Sequence, residues 1–341
     1  ERDLELLQVW ASQASLAVHA ALLLNELKSS NRNLRCKPLY TSAPNKFGLR
    51  GRPRLSGNLS GMTMFTYINP QIRERLIKDG KLFRINGSGA PVEIAESPGP
   101  GQHLNLMGPI PLPLARGDRQ PTVRWYACVR STELSEVEHL ASTLREQGGQ
   151  HLFSHLASSI AVNSVLVIGN PEESENPLVR VHSSCLTGDV LGSRRCECGP
   201  QLEAALDRIA DDPKGGYLIY MAGHEGRGIG LWAKAATYLL QDAGEDTYQA
   251  NRSLGLPDDS RDFSDAAALL KYFAEGKPVR LLTNNPKKVK DLTALGVPHI
   301  EQVKHVCGVD DYNLRYLKAK RDWGHQLGED DLSTEATAPE R

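Results

Sequence analysis

At 341 residues the chain is long enough for about two domains, each with a core of its own. Its 40% hydrophobic and 24% charged residues are ordinary for a globular protein. The 40 Lys and Arg against 41 Asp and Glu leave no bulk charge to draw it to nucleic acid or an anionic membrane. No apolar run reaches the roughly 18 residues of a membrane span, and no secretory signal stands at the start, so a cytoplasmic protein is expected.

Residues 2–28 predict one long helix, because Leu4, Leu7, Trp10, Ala14, Ala17, Ala21, Leu24 and Leu27 recur at steps of three and four. The segment suits a helix packed on its own domain; it also resembles the last helix of a GAF-type sensor domain. Residues 36–60 carry Lys37, Lys46, Arg50, Arg52 and Arg54 among Gly, Pro and Ser, a solvated loop or a phosphate-reaching arm. From 86 to 121 turn formers dominate, including Pro109-Ile110-Pro111-Leu112-Pro113, with short strands such as Leu82–Ile85 and Val123–Val129 between them. A helix is predicted over 133–147. After residue 160 strands alternate with helices. The strands are Val165–Ile168, Tyr217–Met221 and Val279–Leu282; the helices are Gln201–Ala210, Leu231–Asp242 and Ser264–Phe273. That alternation predicts an α/β layer structure. The expected plan is a helix over 1–34, a small mixed α+β domain over 35–150, an α/β catalytic domain over 155–325 and a disordered tail over 326–341.

The six cysteines are Cys36, Cys128, Cys185, Cys196, Cys198 and Cys307, and the bunching of three between 185 and 198 suits a metal site better than a disulfide framework. Cys185, Cys196 and Cys198 are spaced C-x10-C-x-C. Three thiolates with a position left for water would be a catalytic zinc site. A closed structural site that adds His182, or ordinary buried thiols, fit the spacing as well.

Further along, His224-Glu225-Gly226-Arg227-Gly228-Ile229-Gly230 links a strand to a helix. Its glycines would let the backbone approach an anion at the helix start, although a plain tight turn gives the same text. Thr283-Asn284-Asn285-Pro286-Lys287-Lys288 also follows a strand and could meet phosphate oxygens, or simply cap a helix. Asp258-Asp259-Ser260-Arg261-Asp262 sets carboxylates around one arginine, as an ion pair, a proton acceptor beside a phosphate clamp, or a charged helix start.

Taken in order, these segments resemble the GTP cyclohydrolase II family. The matching text runs Arg180-Val181-His182-Ser183-Ser184-Cys185-Leu186-Thr187-Gly188-Asp189, then Arg195-Cys196-Glu197-Cys198-Gly199-Pro200-Gln201-Leu202, then Glu225 to Leu231, the Asp259 and Arg261 pair, and Leu281 to Lys288. The resemblance implies that Cys185, Cys196 and Cys198 hold zinc. Its water would attack the imidazole carbon of guanine, which leaves as formate. It implies loss of pyrophosphate, with magnesium, through Arg261 as nucleophile and Asp259 as its proton acceptor. Arginine holds its proton so tightly that a phosphate clamp is the easier role for Arg261. Tyr238 is implied in the ring chemistry. Arg180, Val181, His182, Ser183, Ser184, Gln201, Glu225, Gly226, Arg227, Thr247, Thr283 and Lys288 match nucleotide contacts. One departure stands out: many members carry Glu where this chain has Ser184, and a hydroxyl cannot accept both N–H donors of guanine as a carboxylate can.

The expected protein is therefore a zinc-dependent cyclohydrolase acting on GTP at the entry to riboflavin, paired as a homodimer, without nucleic-acid or membrane partners. A paralogue acting on another nucleotide such as UTP, one stopping at the formamido product, and a regulatory nucleotide-binding protein are the alternatives. A nucleic-acid-binding zinc module is disfavoured by the near-neutral charge and the lack of interleaved aromatic and basic residues.

Overall fold

The computed structural model describes residues 70–94, 101–115, 122–135 and 160–332. The predicted helix over 2–28, the basic arm over 36–60 and most of the predicted helix over 133–147 lie outside these residues.

The described residues build one mixed sheet of nine strands in the order β2-β1-β3-β4-β5-β7-β6-β8-β9. Helix α1 (Pro70–Lys78) leads into β1 (Leu82–Asn86), β2 (Pro91–Val92), β3 (His103–Pro113), β4 (Thr122–Arg130) and β5 (Asn163–Gly169). All of these pair antiparallel. The remaining strands are β6 (Leu178–Ser183), β7 (Gly215–Met221), β8 (Val279–Leu282) and β9 (Ile300–Val303). β5 meets β7 antiparallel, whereas β6, β7, β8 and β9 run parallel to one another. Since β4 and β5 pair side by side, the sheet continues unbroken across the stretch where the sequence predicts a domain boundary. The change of texture near residue 160 marks the change from hairpin-built to crossover-built pairing.

The turn-like Pro109–Pro113 run lies inside β3, a correction to its reading as irregular connection. The register explains how. β1 stops opposite Met107, so Ile110 to Pro113 pair with β4 alone. One side of that stretch is an edge, where a missing N–H breaks no ladder bond.

Helix α2 (Cys198–Asp211) connects β6 to β7 and starts at the last cysteine of the cluster, three residues before the sequence predicts. Its Ala205 and Ile209 bury against Leu178 and Leu218 on one face of the sheet. The other face is covered by α5 (Ser264–Phe273) and α6 (Pro286–Ala294), whose Ala266–Leu270 run and Leu292 pack on Val179, Val181, Ile219 and Leu281. Between β7 and α5 come α3 (Gly230–Asp242) and α4 (Thr247–Ser253), the latter begun by a capping box of Asp246 and Gln249. Helix α7 (Leu314–Asp322) follows β9. Residues 326–332, placed in the predicted tail, close with a turn at Asp330–Leu332 and bury Leu332. Among the described residues no helix is long and apolar enough to cross a membrane.

This topology dictates where a ligand goes. From β6 the chain crosses to β7 on one side; later it returns to β8 on the other. Strand order therefore reverses at β6, and a crevice opens beyond its C-terminal end. Arg180, His182 and Ser183 lie on β6, with Ser184 and Cys185 directly after it.

Candidate active site

The crevice holds a cavity that opens to solvent. Of the predicted site residues, Arg180, His182, Ser183, Ser184, Gln201, Gly226, Arg227, Tyr238, Thr247, Arg261, Thr283 and Lys288 line it together with the three cysteines. Val181, Glu225 and Asp259 do not line it, but each accepts a hydrogen bond from a residue that does, Lys288, Lys234 and Arg261 respectively.

At one end the sulfurs of Cys185, Cys196 and Cys198 all lie within 4.8 Å of one another, and Cys185 Sγ is 3.6 Å from Cys196 Sγ. Gly188 closes over them. A Cβ there would come within 3.0 Å of Cys196 Sγ and 3.2 Å of Cys185 Sγ, so a side chain at this position would crowd the sulfurs. Lys234 Nζ donates to Cys185 Sγ at 3.0 Å and to Glu225 Oε1 at 2.6 Å. Hydrogen bonds from Cys196 and Cys198, joined by this ammonium, hold the Cys185 thiol far below its ordinary range. Three crowded soft donors, one of them readily ionised, suit a thiophilic divalent ion. His182 stands outside the cluster: among the described residues the donors that gather within reach of one ion are the three cysteines, and His182 Nε2 faces Asp189 at 3.1 Å. Asp189 also accepts from the Tyr220 hydroxyl at 2.9 Å and from the Cys185 backbone N–H at 3.0 Å. That one buried carboxylate ties the cysteine loop to β6 and β7. Tyr238 stands beside the cluster, its hydroxyl 3.0 Å from Thr187 Oγ1, which is 3.6 Å from Cys185 Sγ.

The other end is cationic. Arg180 donates to the Leu282 carbonyl at 2.8 Å and to Gln201 Oε1 at 2.7 Å, while its buried Nε has no partner. Lys288 Nζ donates to the Val181 carbonyl at 2.7 Å, and burial, with Arg180 and Arg261 nearby, pushes its pKa well down. Asn285 caps α6 by accepting from the Lys287 N–H at 3.0 Å, and Pro286 opens the helix. Arg261 and Asp259 form a two-pronged pair, Nε to Oδ1 at 2.9 Å and Nη2 to Oδ2 at 2.6 Å. Burial works against the Asp259 carboxylate, but Arg261 outweighs it and brings the pKa down to about 2. A carboxylate so firmly ionised and locked to its arginine is a poor proton acceptor, and its two-pronged contact fixes the orientation of the guanidinium.

Residues 142–304 match the model of one family, GTP cyclohydrolase II. This part of the chain is a GTP cyclohydrolase II domain. Curated relatives match about half of the chain. A riboflavin biosynthesis protein RibBA of Mycobacteroides abscessus is 50% identical over 171 residues, which are 50% of this chain and 40% of the relative. RibBA of Nocardia farcinica is 51% identical over 175 residues, 51% of this chain and 42% of the relative. RibBA of Salinispora arenicola is 49% identical over 173 residues, 50% of this chain and 41% of the relative. The chain thus spans about two-fifths of the length of the curated relatives it matches.

Sequence reasoning missed several residues of the cyclohydrolase cavity. Lys234 was findable, since it lies four positions before Tyr238 and so shares its helix face. Asp189 sits inside the matching text, but nothing local reveals how many groups it serves. Glu197, flanked by two of the cysteines, is buried and pairs with Lys320 of α7, a contact across the fold. His224 accepts from the Ser183 hydroxyl at Nδ1 (3.2 Å) and donates from Nε2 to the Asp262 carbonyl at 2.9 Å, which fastens the Asp259–Arg261 loop to β6.

His224 and His305 also make the cyclohydrolase domain acid-sensitive. Burial holds His224 down to about 4 and His305 down to about 3. Unfolded, each would titrate near about 6.5. The folded state then binds fewer protons than the unfolded one below that value, so stability drops as pH falls from 6.5 toward the folded pKa. At pH 5 each histidine should cost roughly 2 kcal/mol relative to pH 7. Urea unfolding at the two pH values should show this loss, and His305→Gln should reduce it by about one histidine's share, roughly 2 kcal/mol. Equal loss with and without His305 would assign the acid sensitivity elsewhere.

Proposed function

We propose that the chain is a zinc-dependent cyclohydrolase. It would convert GTP to 2,5-diamino-6-(5-phosphoribosylamino)pyrimidin-4(3H)-one, formate and pyrophosphate, the entry step of riboflavin biosynthesis. The supporting observation is a single cavity with a three-thiol cluster at one end and a group of buried cations at the other. That pairing suits a substrate with a hydrolysable base and a polyphosphate tail. Bound zinc would supply Lewis-acid activation of water for attack on the imidazole carbon. The chain's own groups do the rest. Lys234 and Glu225 brace Cys185, and the Tyr238 hydroxyl stands beside the cluster to exchange a proton with the opening ring. Arg180, Arg227 and Lys288 hold the phosphates, and Arg261 offsets charge that develops at the α-phosphorus. Magnesium would enter with the triphosphate. Trp232 and Leu239, 91% and 73% exposed on one face of α3, support pairing of two copies as a homodimer.

Separate incubations with GTP, ITP and UTP test the substrate, with formate and pyrophosphate as readouts. GTP should yield both. Turnover of UTP but not GTP would reassign the base, and tight nucleotide binding with no product would make the chain a regulator.

Ser184 bears on that choice. Its hydroxyl donates to the Ala222 carbonyl at 2.9 Å and lines the cavity without offering a carboxylate to guanine. Ser184→Glu should raise the preference for GTP over ITP, which lacks the amino group. A good two-point contact discriminates by about 1–3 kcal/mol, by analogy with base reading in DNA, or roughly 5- to 150-fold in kcat/KM. An unchanged ratio would show that this side chain does not face the base.

A further inference from the structure

The family match ends at residue 304, yet the chain folds back over the cavity beyond it. Val309, Leu317 and Leu332 form a small core of their own there. This core is fastened to the site at three places. Asn284, in the turn before α6, exchanges two hydrogen bonds with the His305 backbone and accepts from the Gln326 N–H at 2.9 Å. Lys320 pairs with buried Glu197 between the cysteines. Trp323 stacks on Tyr248, ring centroids 4.1 Å apart and planes 16° apart, while the Arg227 guanidinium lies 4.0 Å from the centroid of that same tyrosine. The Tyr248 ring is thus held between Trp323 and Arg227.

Arg227 needs such support. It adopts a left-handed backbone at φ 63°, a conformation that costs a non-glycine residue about 1–2 kcal/mol. Tyr316 is a polar neighbour, but both Nη atoms are buried without an acceptor at hydrogen-bond geometry. His325 is in the same condition: its Nδ1 is buried and unpartnered in the cavity wall, close to the positive charges of Lys320, Arg227 and Arg261. Buried donors left open in this way are costly unless a ligand meets them. An arginine fork and an imidazole among cations call for oxygens of a polyanion.

We propose that residues 305–332 form a wall of the nucleotide site, in which the His325 Nδ1–H donates to a phosphate oxygen and Trp323 acts through Tyr248 to position Arg227 for the same tail. The inference rests on the nucleoside triphosphate reading above and extends it to a segment outside the family match. Trp323 is a positioning residue, whereas His325 is a contact.

The test uses the full zinc-loaded chain and inorganic tripolyphosphate as a probe of the tail alone, with guanosine as a probe of the base. Calorimetry gives both affinities. His325→Ala should weaken tripolyphosphate about tenfold or more relative to guanosine, the worth of a hydrogen bond to a charged group. His325→Gln, which keeps a donor, should recover part of that loss. Trp323→Leu should raise KM for GTP several-fold with little change in kcat, and Trp323→Phe should restore it. Parent-like tripolyphosphate binding in His325→Ala and Trp323→Leu would overturn the inference and leave the cyclohydrolase reading intact. Failure of the unmodified chain to bind either probe would overturn both.

Discussion

Cys196→Ser is expected to abolish formate release from GTP, by more than about a thousandfold, while the chain stays folded. Cys196 Sγ is one of three sulfurs gathered under Gly188. A serine hydroxyl is nearly the same size but is a hard donor that keeps its proton near neutral pH, so the cluster loses a ligand without losing its shape. Zinc content should fall from about one equivalent to well below it in the same sample. Pyrophosphate release should survive in part, because the cationic end is built from β6, β8, α6 and the Asp259–Arg261 loop rather than from the cysteine loop. Intact formate release with this substitution would separate the thiol cluster from the ring chemistry.

Arg261→Gln should cut pyrophosphate release by roughly 10²–10³-fold, the usual loss when one aimed charge-stabilising donor is removed. It should also destabilise the chain. Asp259 and Arg261 have side-chain exposures of only 15% and 13%, and their pair is two-pronged. Removing the cation leaves a buried carboxylate without its partner, a loss of about 3–5 kcal/mol that urea unfolding should register. Asp259→Asn with Arg261→Gln should recover stability but not activity. Arg261→Lys should recover little of either, since an ammonium cannot fill both prongs. Normal pyrophosphate release from Arg261→Gln would remove this residue from the phosphate chemistry.

Several features were legible in the sequence because their chemistry forces residue types into a fixed local order. Cys185, Cys196 and Cys198 are one case. Asn285-Pro286 is another, since a cap and a helix-starting proline act on neighbouring backbone. The strands after residue 160 were readable as continuous apolar runs because both faces of the sheet are covered there. Other features depend on distant partners. The prolines of β3 are tolerated only because β1 stops short, which no local pattern reveals. Asp189, Lys320, Trp323 and His325 carry ordinary surface side chains in sequence, and only the folded chain brings them to the cavity or its supports. Tyr248 stands one residue after a matched position, yet its part as a platform for Arg227 depends on α7.

The most direct measurement follows the carbon that the cyclohydrolase reaction removes. GTP labelled with ¹³C at the imidazole carbon would be incubated with the zinc-loaded chain and watched by carbon NMR. The label should leave the nucleotide and appear as formate, in step with pyrophosphate. Label that stays on a formamido product would stop the reaction one hydrolysis early, and label that never leaves the intact ring would contradict the proposal.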